Sequence, residues 1–560
     1  MLICGVKVSH DAAVALIDGN RLLFSIELEK LNNNDRYTAL DHLESIEEIL
    51  HREGVDPRDI DRFVLDGWYP PSGAAKPVVS SRLNGFSLSL PVAPYVGETD
   101  GGNPLRSDFF PGVSGSVLQR GYNSYPHVSG HVMSSYCSSP FATRGEDAIV
   151  LAWDGGTLPR CYWVDWAARR VKSLGVLFPL VGNMFGDFCA QLPPFFHDET
   201  GLSHETLTRH DLEVPGKAMA YAALGYVEPT AFSVFDSLLD ELDPVSTSAA
   251  TQLGKTVITR RDNLFPGLSN ADLVATFQAY LGNALCEGLA RLLQRNFEGR
   301  TLNMCLSGGC ALNIKWNSQL RASGMFRDIW VPPFPNDAGS AIGAACCEMA
   351  SQGGHFDLEW NVYSGPRLQV SELPGGWDAR SHDECDIAAL MHHENEPVAV
   401  LHGRAELGPR ALGNRSILAP AVDPEMKHRL NMIKGRADYR PVAPICLTAH
   451  AAKVFEPGGA DPYMVFEHRM RTDWANRLPA IVHIDGTARL QTIETNAAGS
   501  CVGRILQHYE RLSGIPVLCN TSANLGGRGF FSSAAAAASW GRIRYVWSDG
   551  TLYVKRTMDF

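Results

Sequence analysis

Strand-like apolar runs that end at turns recur along this chain, and this pattern limits the fold more than any other feature. The runs Ile3 to Val8, Ala12 to Ile17 and Leu22 to Ile26 predict a β-meander at the start. Ala148 to Trp153 predicts another buried strand before a glycine turn, and apolar residues at helical spacing predict a long helix from Ala271 to Leu293. Strands alternating with helices predict an α/β fold.

The length of the chain requires more than one hydrophobic core. At 560 residues it exceeds what a single core usually organises. A stretch rich in Pro and Gly, Tyr363 to Trp377, predicts a connection, and the strand-like run that begins at Val398 opens a second α/β segment. We therefore expect a first domain at 1–360, a connection at 361–377 and a second domain at 378–560.

Composition excludes several classes of protein. Apolar residues make up 45% and charged residues 20%, as in a folded globular protein. The formal net charge of -12 argues against nucleic acid or an anionic membrane as a partner, because such binding needs a broad basic face. The N-terminus lacks a signal-peptide pattern and no apolar run approaches about 20 residues, so a cytoplasmic protein is expected.

Two histidines and two aspartates are candidate metal ligands. His127 and His131 lie four residues apart, which places both imidazoles on one face of a helix. Asp154 follows a predicted strand, and Asp337 precedes a small-residue helix, where an acidic cap is the alternative reading. Such a set suits a divalent ion, and its mixed nitrogen and oxygen donors do not choose between iron and zinc.

Glycine turns provide candidate anion sites. Ser307-Gly308-Gly309 lies between a strand and a helix, and Gly155-Gly156 lets the backbone approach a ligand closely, although purely structural turns have the same form. Lys217 could place a cation near phosphates, or it is an exposed helical lysine. The residues considered for nucleotide binding are Gly155, Gly156, Lys217, Gly308, Gly309, Asn313 and Gly339.

The second domain carries a dense basic segment in an otherwise acidic chain. Between His402 and Arg440 only four acidic residues, the last of them Asp438, stand against ten basic or histidine side chains, interleaved with glycine and apolar residues. Arginine forks bind phosphate and carboxylate in bidentate fashion. We therefore expect a polyanionic small ligand here, with a solvated basic face as the alternative.

Several segments together resemble the O-carbamoyltransferase family of the nodulation, cephamycin and tobramycin type, in its antibiotic-tailoring branch. The most specific is Gly403-Arg-Ala-Glu-Leu-Gly-Pro-Arg-Ala-Leu-Gly-Asn-Arg-Ser416. Lys434-Gly-Arg, Arg440-Pro-Val-Ala-Pro444, His483-Ile-Asp-Gly-Thr-Ala-Arg489 and Asn520-Thr-Ser522 accompany it. The sequence departs from the family at Leu28-Glu-Lys-Leu31, where Glu-Glu-Arg-Phe is usual, and the divergent segment Asn84 to Phe110 leaves the acceptor contacts open.

The resemblance implies a fold and a reaction. The N-terminal domain is expected to be actin-like (ASKHA), similar to the tRNA threonylcarbamoyl transferases, and to be followed by a YrdC-like α/β domain. The reaction implied is ATP-dependent formation of carbamoyl-adenylate from carbamoyl phosphate. Transfer of the carbamoyl group to a hydroxyl of a small-molecule natural product follows. The implied cofactors are a divalent metal, Fe²⁺ before Zn²⁺ or Mn²⁺, and Mg-ATP as substrate, and a homodimer stays open.

The resemblance also implies roles for individual residues. His10 matches the catalytic histidine, and His127, His131, Asp154 and Asp337 match the metal ligands. The residues implied for carbamoyl phosphate and its adenylate are Arg415, Ser416, Lys434, Arg440, Arg489, Asn520, Ser522 and Arg528.

Three alternatives remain at this point. An actin-fold kinase is disfavoured because the first turn, Gly5-Val-Lys-Val-Ser-His10, lacks the Asp-x-Gly-Thr of sugar kinases. Carbamoylation or threonylcarbamoylation of a macromolecule is disfavoured by the absence of Cys-x-x-Cys pairs among 13 cysteines and by the negative charge. A nucleotide-sensing module without catalysis is the third.

Overall fold

The computed structural model describes residues 1–71, 76–97, 103–197, 201, 204–243, 248–494 and 500–556. The chain divides into two compact units. The first contains Met1–Leu23 and Ala39–Trp360, and the second contains Phe24–Thr38 and Asn361–Phe560. Within the described residues, no helix combines the length and apolarity needed to cross a membrane.

The strands are β1 (Leu2–Lys7), β2 (Ala13–Asp18), β3 (Arg21–Glu27), β4 (Arg62–Asp66), β5 (Val78–Leu83), β6 (Phe86–Pro91), β7 (Asp108–Phe110), β8 (Tyr122–Tyr125), β9 (Ala148–Ala152), β10 (Arg160–Asp165), β11 (Arg170–Val176), β12 (Leu302–Ser307), β13 (Phe326–Trp330), β14 (Trp377–Ser381), β15 (Val398–Leu401), β16 (Arg415–Pro420), β17 (Ala443–Leu447), β18 (Phe455–Glu456), β19 (His468–Met470), β20 (Thr487–Ala488), β21 (Gln491–Ile493), β22 (Val517–Ser522), β23 (Tyr545–Ser548) and β24 (Thr551–Lys555).

The helices are α1 (Leu28–Leu31), α2 (Glu44–Arg52), α3 (His127–Cys137), α4 (Pro140–Arg144), α5 (Met184–Ala190), α6 (His204–Tyr221), α7 (Phe232–Asp240), α8 (Ala249–Thr259), α9 (Arg261–Leu264), α10 (Asn270–Phe297), α11 (Ile314–Ala322), α12 (Ser340–Glu348), α13 (Glu384–Glu394), α14 (Glu425–Lys434), α15 (Thr448–Val454), α16 (Thr472–Ala475), α17 (Cys501–Ser513) and α18 (Ala534–Trp540).

The first unit repeats one strand order in two sheets. One sheet has the order β3-β2-β1-β4-β8-β7, and the other has β11-β10-β9-β12-β13. In each sheet the first strand of a meander is antiparallel to the second and parallel to a later strand, so β1 pairs with β4 as β9 pairs with β12. The predicted meander, the strand at Ala148 and the long helix are confirmed.

Two helices of small residues pack against each other and against these sheets. α12 contacts α3, β1, β2 and β4, while α3 also contacts β9 and β12. The close approach depends on missing side chains, because a Cβ on Gly343 would lie 2.2 Å from the Gly130 carbonyl oxygen. The small residues of α12 therefore allow its backbone to lie close to that of α3. This packing brings the start of α3 near the start of α12.

The second unit is built on a mixed sheet with the order β14-β24-β23-β15-β16-β22-β17-β21. β16 and β22 are antiparallel neighbours at its centre, with Ser416 opposite Ser522. A buried apolar cluster that includes Ile417, Leu418 and Val517 forms the core on which α13 and α17 pack. The mixed α/β class is thus confirmed in both units.

Candidate functional site

The two histidines of α3 face one another. Helix α3 begins at His127, and the four-residue spacing brings His131 above it on the same face. Their Nε2 atoms lie 3.0 Å apart, and both side chains are fully buried. Two imidazole nitrogens this close need a proton or a cation between them.

Asp154 and Asp337 complete the group. Asp154 follows β9, and Asp337 begins the 3₁₀ turn before α12. The Asp337 Oδ1 atom lies 3.3 Å from the Nε2 atom of each histidine, and the Asp154 oxygens lie 3.8 and 3.9 Å from these nitrogens. One ligand atom from each of the four residues fits within 4.8 Å of the others. The set predicted from the sequence is therefore brought together.

Asp66 and Lys7 support this group from behind. Asp66 Oδ2 lies 2.7 Å from His127 Nδ1, so the carboxylate holds the ring with Nε2 facing the other ligands. Lys7 Nζ lies 3.0 Å from Asp66 Oδ2 and 2.9 Å from Asp337 Oδ2, and its side chain is buried. The ammonium thus orients Asp337 with Oδ1 towards the histidines.

The charges in this group are tightly coupled. Burial alone would lower the pKa of His127, but the charge of Asp66 and that of Asp337 raise it to about 9. Burial opposes ionisation of Asp337, yet Lys7 and His127 hold its pKa well below the usual range. A proton on His127 therefore occupies the electrostatic position that a cation would take.

The donor set fits a divalent ion. Two neutral imidazoles and two carboxylates are ligands for iron, zinc and manganese alike, and they do not identify the metal. The remaining ring nitrogen, His131 Nδ1, is buried and has no hydrogen-bond partner in the described part of the chain. His131 is thus held by packing, whereas His127 is held by Asp66.

Aromatic rings form a wall beside the metal-ligand group. Tyr95 donates its hydroxyl hydrogen to Asp154 Oδ2, and its ring stacks on Tyr69 at 4.0 Å. Tyr69 in turn donates to the Gly156 carbonyl oxygen at 2.6 Å. The Trp68 ring lies 5.6 Å from the rings of Tyr95 and His127, tilted to the first and edge-on to the second. The wall fixes Asp154 through the Tyr95 hydroxyl.

His10 lies at the edge of the same group. Its Nδ1 atom is 2.9 Å from Asp11 Oδ2, and its Nε2 atom is 3.7 Å from Asp337 Oδ2. Its side chain is 29% exposed, in contrast to the buried metal-ligand histidines. Burial works against the charged ring, but the bond to Asp11 and the charge of Asp337 raise its pKa above the ordinary value. The structure places this predicted catalytic residue at the metal-ligand group.

The predicted glycines of the nucleotide site lie around Asp154. Gly309 N–H donates to Asp154 Oδ1 at 2.7 Å, so this donor orients a metal ligand. Gly308 adopts φ of +85°, and a Cβ there would lie 2.4 Å from the Trp153 carbonyl oxygen. Cβ atoms on Gly155 and Gly156 would meet Asn183 and Tyr69. These glycines permit close packing around the strand end that carries Asp154.

Three other predicted nucleotide residues have local partners. Asn313 caps α11 by accepting from the backbone of Lys315 and Trp316. Lys217 forms a 2.7 Å ion pair with Glu213 one helical turn away, as an exposed helical lysine would. A Cβ on Gly339 would lie 2.3 Å from the Phe334 carbonyl oxygen. These three residues thus serve as a helix cap, an ion-pair partner and a site of close backbone packing, respectively.

In the second unit, Arg415 and Lys434 are saturated by protein acceptors. Arg415 is 2% exposed and donates to the carbonyl oxygens of four residues, Pro366, His402, Gly403 and Asn414. Lys434 Nζ donates to Ser522 O, Asn524 O and Asn524 Oδ1 at 2.5–2.7 Å. These contacts do not support a direct phosphate contact for either residue. Both hold loops of the second unit in place.

A group of guanidinium groups, which we call the arginine cluster, consists of Arg36, Arg410, Arg436, Arg440 and Arg489. Burial and then the charges of neighbouring arginines lower the pKa of Arg436 to about 9 and that of Arg410 to about 10. The pKa of Arg489 is held well below its usual range for the same reasons, against a smaller opposite effect of Asp461. The cluster gathers positive charge that a bound polyanion would neutralise.

The small polar residues of the predicted site lie on β16 and β22. Ser416 is fully buried, and its hydroxyl has no hydrogen-bond partner in the described part of the chain. Ser522 Oγ donates to Asn524 Oδ1 at 2.6 Å, and Asn520 Oδ1 is buried without a partner among the described residues. Arg528 is half exposed and bonds to Asn33 and Asp35. Buried polar atoms without a partner in the described residues are therefore found on Asn520 and Ser416, whereas Ser522 and Arg528 each have a protein partner.

Sequence reasoning missed several residues of both sites. Lys7 and Asp66 end strands β1 and β4, which are parallel neighbours, so strand pairing is the signal that could have found them. Arg36 is distant in sequence from the other members of the arginine cluster, and no local pattern marks it. Arg410 and Arg436 belong to the basic segment but were not singled out as ligand contacts.

Comparison with known proteins assigns both units to one family. The family model described as "Carbamoyltransferase N-terminus" matches residues 2–123 and 112–346, and "Carbamoyltransferase C-terminus" matches residues 388–546. One solved structure, the activator of the 2-hydroxyisocaproyl-CoA dehydratase from Clostridium difficile, matches with a TM-score of 0.32 and 13% identity. It covers 63% of this chain and 97% of that one. A likeness of that degree carries no argument about function.

Two curated relatives match over nearly the whole length. Nodulation protein U of Sinorhizobium fredii (strain NBRC 101917 / NGR234) is 43% identical over 99% of each chain. The 3'-hydroxymethylcephem-O-carbamoyltransferase of Streptomyces clavuligerus is 31% identical over 95% of this chain and 94% of its own. The nodulation relative is thus the more similar of the two. These identities do not favour the antibiotic-tailoring branch that the sequence predicts. The chain belongs to the carbamoyltransferase family and is an enzyme of that family.

Proposed function

We propose that this protein is an ATP-dependent O-carbamoyltransferase that uses carbamoyl phosphate and modifies a hydroxyl of a small-molecule natural product. The arginine cluster carries this proposal, because its mutually repelling charges need a polyanionic ligand such as a nucleotide or carbamoyl phosphate. The cephem relative is itself named an O-carbamoyltransferase. The acceptor of this protein is left open.

Activation takes place in residues 378–560. Water cleaves the mixed anhydride of carbamoyl phosphate to phosphate and carbamate. A carbamate oxygen then attacks the α-phosphorus of ATP, so that carbamoyl-adenylate forms and pyrophosphate leaves. Arg440 and Arg489 neutralise the phosphates, while Ser416 and Asn520 contact the carbamoyl group. Fixed donors and charges around a bound electrophile lower the barrier without reorganisation. The proposed carbamoyl phosphate and adenylate site also includes Arg415, Lys434, Ser522 and Arg528, of which Arg415 and Lys434 hold its loops through backbone carbonyl oxygens.

The two parts of the chain correspond to two fold types in this proposal. The repeated strand order of the first unit supports an actin-like fold for residues 1–360. The likeness of Thr521-Ser-Ala-Asn524 to the threonylcarbamoyl-adenylate synthases supports a YrdC-like fold for the second. Transfer takes place in the first and activation in the second.

Transfer depends on the metal-ligand group and on His10. His127, His131, Asp154 and Asp337 would hold a divalent ion, Fe²⁺ by preference and Zn²⁺ or Mn²⁺ as alternatives, and this ion would supply Lewis acidity. His10 accepts the proton of the acceptor hydroxyl at Nε2, since Asp11 binds Nδ1 and fixes the ring. The aromatic wall excludes water that would otherwise hydrolyse the activated carbamoyl group.

The other partners follow from this scheme. The nucleotide part of the adenylate binds near the glycine turns at Gly155 and Gly308, with Gly156, Gly309 and Gly339 permitting close approach and Asn313 and Lys217 in supporting positions. The reaction takes place in the cytoplasm with Mg-ATP, without nucleic acid or membrane as a partner, and a homodimer is compatible with it.

The division of labour is tested by His10→Asn. In this variant we expect no carbamoylation of the acceptor, whereas the release of pyrophosphate that depends on carbamoyl phosphate should be unchanged. The measurement follows labelled carbamoyl-adenylate and pyrophosphate with and without a panel of hydroxylated natural products, with mass detection of a gained carbamoyl group. Failure of the variant to form adenylate would refute separate activation and transfer sites.

A further inference from the structure

Asn520 lies at the end of a chain of side-chain hydrogen bonds. Gln491 Nε2 donates to the Leu412 carbonyl oxygen at 2.8 Å. Asn520 Nδ2 donates to Gln491 Oε1 at 2.7 Å and to the Ala411 carbonyl oxygen at 3.1 Å. Both side chains are almost fully buried. The side-chain amide nitrogens of Gln491 and Asn520 therefore both have an acceptor.

The chain fixes which way the Asn520 amide points. Backbone carbonyl oxygens only accept, so Leu412 O requires the Gln491 nitrogen and Ala411 O requires the Asn520 nitrogen. If either amide were rotated by 180°, its oxygen would face the carbonyl oxygen of Leu412 or Ala411. Asn520 Oδ1 is consequently held on the other side, where it has no partner within the described residues. A buried acceptor left unpaired is costly, which points to a ligand that donates to it.

A second open polar atom lies on the same face of the sheet. Asn520 and Ser522 are two residues apart on β22, and Ser416 of β16 stands opposite Ser522. The Ser416 hydroxyl is also buried and unpartnered in the described segments. An acceptor of fixed direction beside a hydroxyl that can donate complements an amide group, which carries N–H donors and a carbonyl oxygen.

We propose that Gln491 is a positioning residue that holds Asn520 Oδ1 as the acceptor for the N–H of a carbamoyl group. The site thereby distinguishes carbamoyl phosphate from acyl phosphates of the same shape, such as acetyl phosphate, in which a methyl group replaces the amide. This inference rests on the proposed function, because it assumes that carbamoyl phosphate is bound in the second unit.

The test compares the two phosphates as substrates for pyrophosphate release by the full-length enzyme. The unaltered enzyme is expected to favour carbamoyl phosphate by about 100-fold or more in kcat/KM, as sites that hydrogen-bond a substrate N–H do. Gln491→Leu should lower this ratio at least about 10-fold, mainly through a higher KM for carbamoyl phosphate. The rate with acetyl phosphate should change little.

Gln491→Glu is the conservative variant. It keeps an oxygen for Asn520 Nδ2, and burial favours the protonated carboxyl, whose O–H can donate to the Leu412 carbonyl oxygen in place of Gln491 Nε2, so it should retain the preference for carbamoyl phosphate. Asn520→Ala removes the acceptor itself and should lose the preference, which keeps the test decisive if Gln491→Leu does not fold.

The outcomes separate this inference from the proposed function. Equal losses with both phosphates in Gln491→Leu and in Asn520→Ala would mean a structural role only, and would overturn the inference while carbamoyl activation stands. Absence of carbamoyl-dependent pyrophosphate release in the unaltered enzyme would overturn the proposed function, and the inference with it. A selective loss of the carbamoyl preference in both variants would support it.

Discussion

The metal-ligand group and the arginine cluster handle charge in opposite ways. At the metal-ligand group every cationic side chain faces carboxylates, with Lys7 between Asp66 and Asp337. In the arginine cluster the nearest strong influences on Arg436 and Arg489 are other guanidinium groups. The first site has an excess of negative charge that suits a small cation. The second has an excess of positive charge that suits a polyanion.

The balance of the first site can be stated in formal charges. Asp66, Asp154 and Asp337 face the ammonium of Lys7 and two imidazoles that are neutral when they bind a metal. One ammonium against three carboxylates leaves two negative charges, which a dication matches. Without such an ion, protonated His127 supplies part of the missing charge.

The largest effect is expected from Asp337→Asn, which breaks this balance. The substitution removes the charge shared by both histidines and Lys7, so the affinity for a divalent ion should fall by more than the ~100-fold that a lost outer partner can cost. Titration of the metal-free protein with Mn²⁺ and the metal content after dialysis measure the effect. Asp41→Asn, an exposed change in the same unit, is the control, and stoichiometric metal in Asp337→Asn would contradict the assignment.

The arginine cluster is tested by Arg489→Gln. Removing one repelling charge should raise the free energy of unfolding by about 1 kcal/mol in the absence of ligands, because buried charges are often replaced without loss. It should also weaken binding of inorganic phosphate, measured as a smaller phosphate-induced rise in Tm than in the unaltered protein.

Arg380→Gln is the matched control, since Arg380 is an exposed residue of β14 in the same unit. It should change neither the stability nor the response to phosphate. A destabilised Arg489→Gln with an unchanged phosphate response would mean that Arg489 is a structural residue, and the contrast between the two sites would weaken.

The part of each site that lies close in sequence could be predicted, and the part that depends on strand pairing could not. The spacing of His127 and His131 fixes a shared helix face, and Asp154 follows an apolar strand, so local periodicity was enough. Asp66 reaches His127 because β4 lies beside β8, where Asp66 pairs with Tyr125 two residues before His127, and no local pattern predicts this pairing. Arg36 joins residues more than 370 positions away in the second unit.

Residue type alone does not show which side-chain donors are already bonded to protein acceptors. Arg415 and Lys434 are basic residues in a basic segment, and the sequence predicts phosphate contacts for both. Their donors are taken by backbone carbonyl oxygens, because the loops around β16 and β22 leave acceptors that need buried partners. The backbone conformation of a loop decides how many of its carbonyl oxygens need a side-chain donor. Composition does not predict that conformation.

Asp66→Asn tests the same metal-ligand group, with a smaller expected loss of metal affinity than Asp337→Asn. The amide no longer accepts the His127 Nδ1 hydrogen as a charged group, so the ring should lose orientation and the affinity for a divalent ion should fall by about 10–100-fold. The same Mn²⁺ titration applies. The phosphate response of the second unit serves as the internal control, and a loss of both responses would indicate general misfolding.

The smallest effect concerns a carboxylate of the first unit that is not balanced in this way. Burial and the nearby charge of Asp211 raise the pKa of Asp187 to about 7. A carboxyl whose pKa is raised on folding stabilises the folded state below its unfolded value near 4, and this contribution is lost as pH rises towards 7. Asp187→Asn should therefore raise Tm by about 2 °C at pH 8 and by less at pH 5, where only the first part of the contribution has been lost. Thermal unfolding at both pH values, with exposed Asp262→Asn as control, measures this difference. An equal shift at both pH values would mean that Asp187 is already ionised in the folded state at pH 5, and that burial does not raise its pKa in this way.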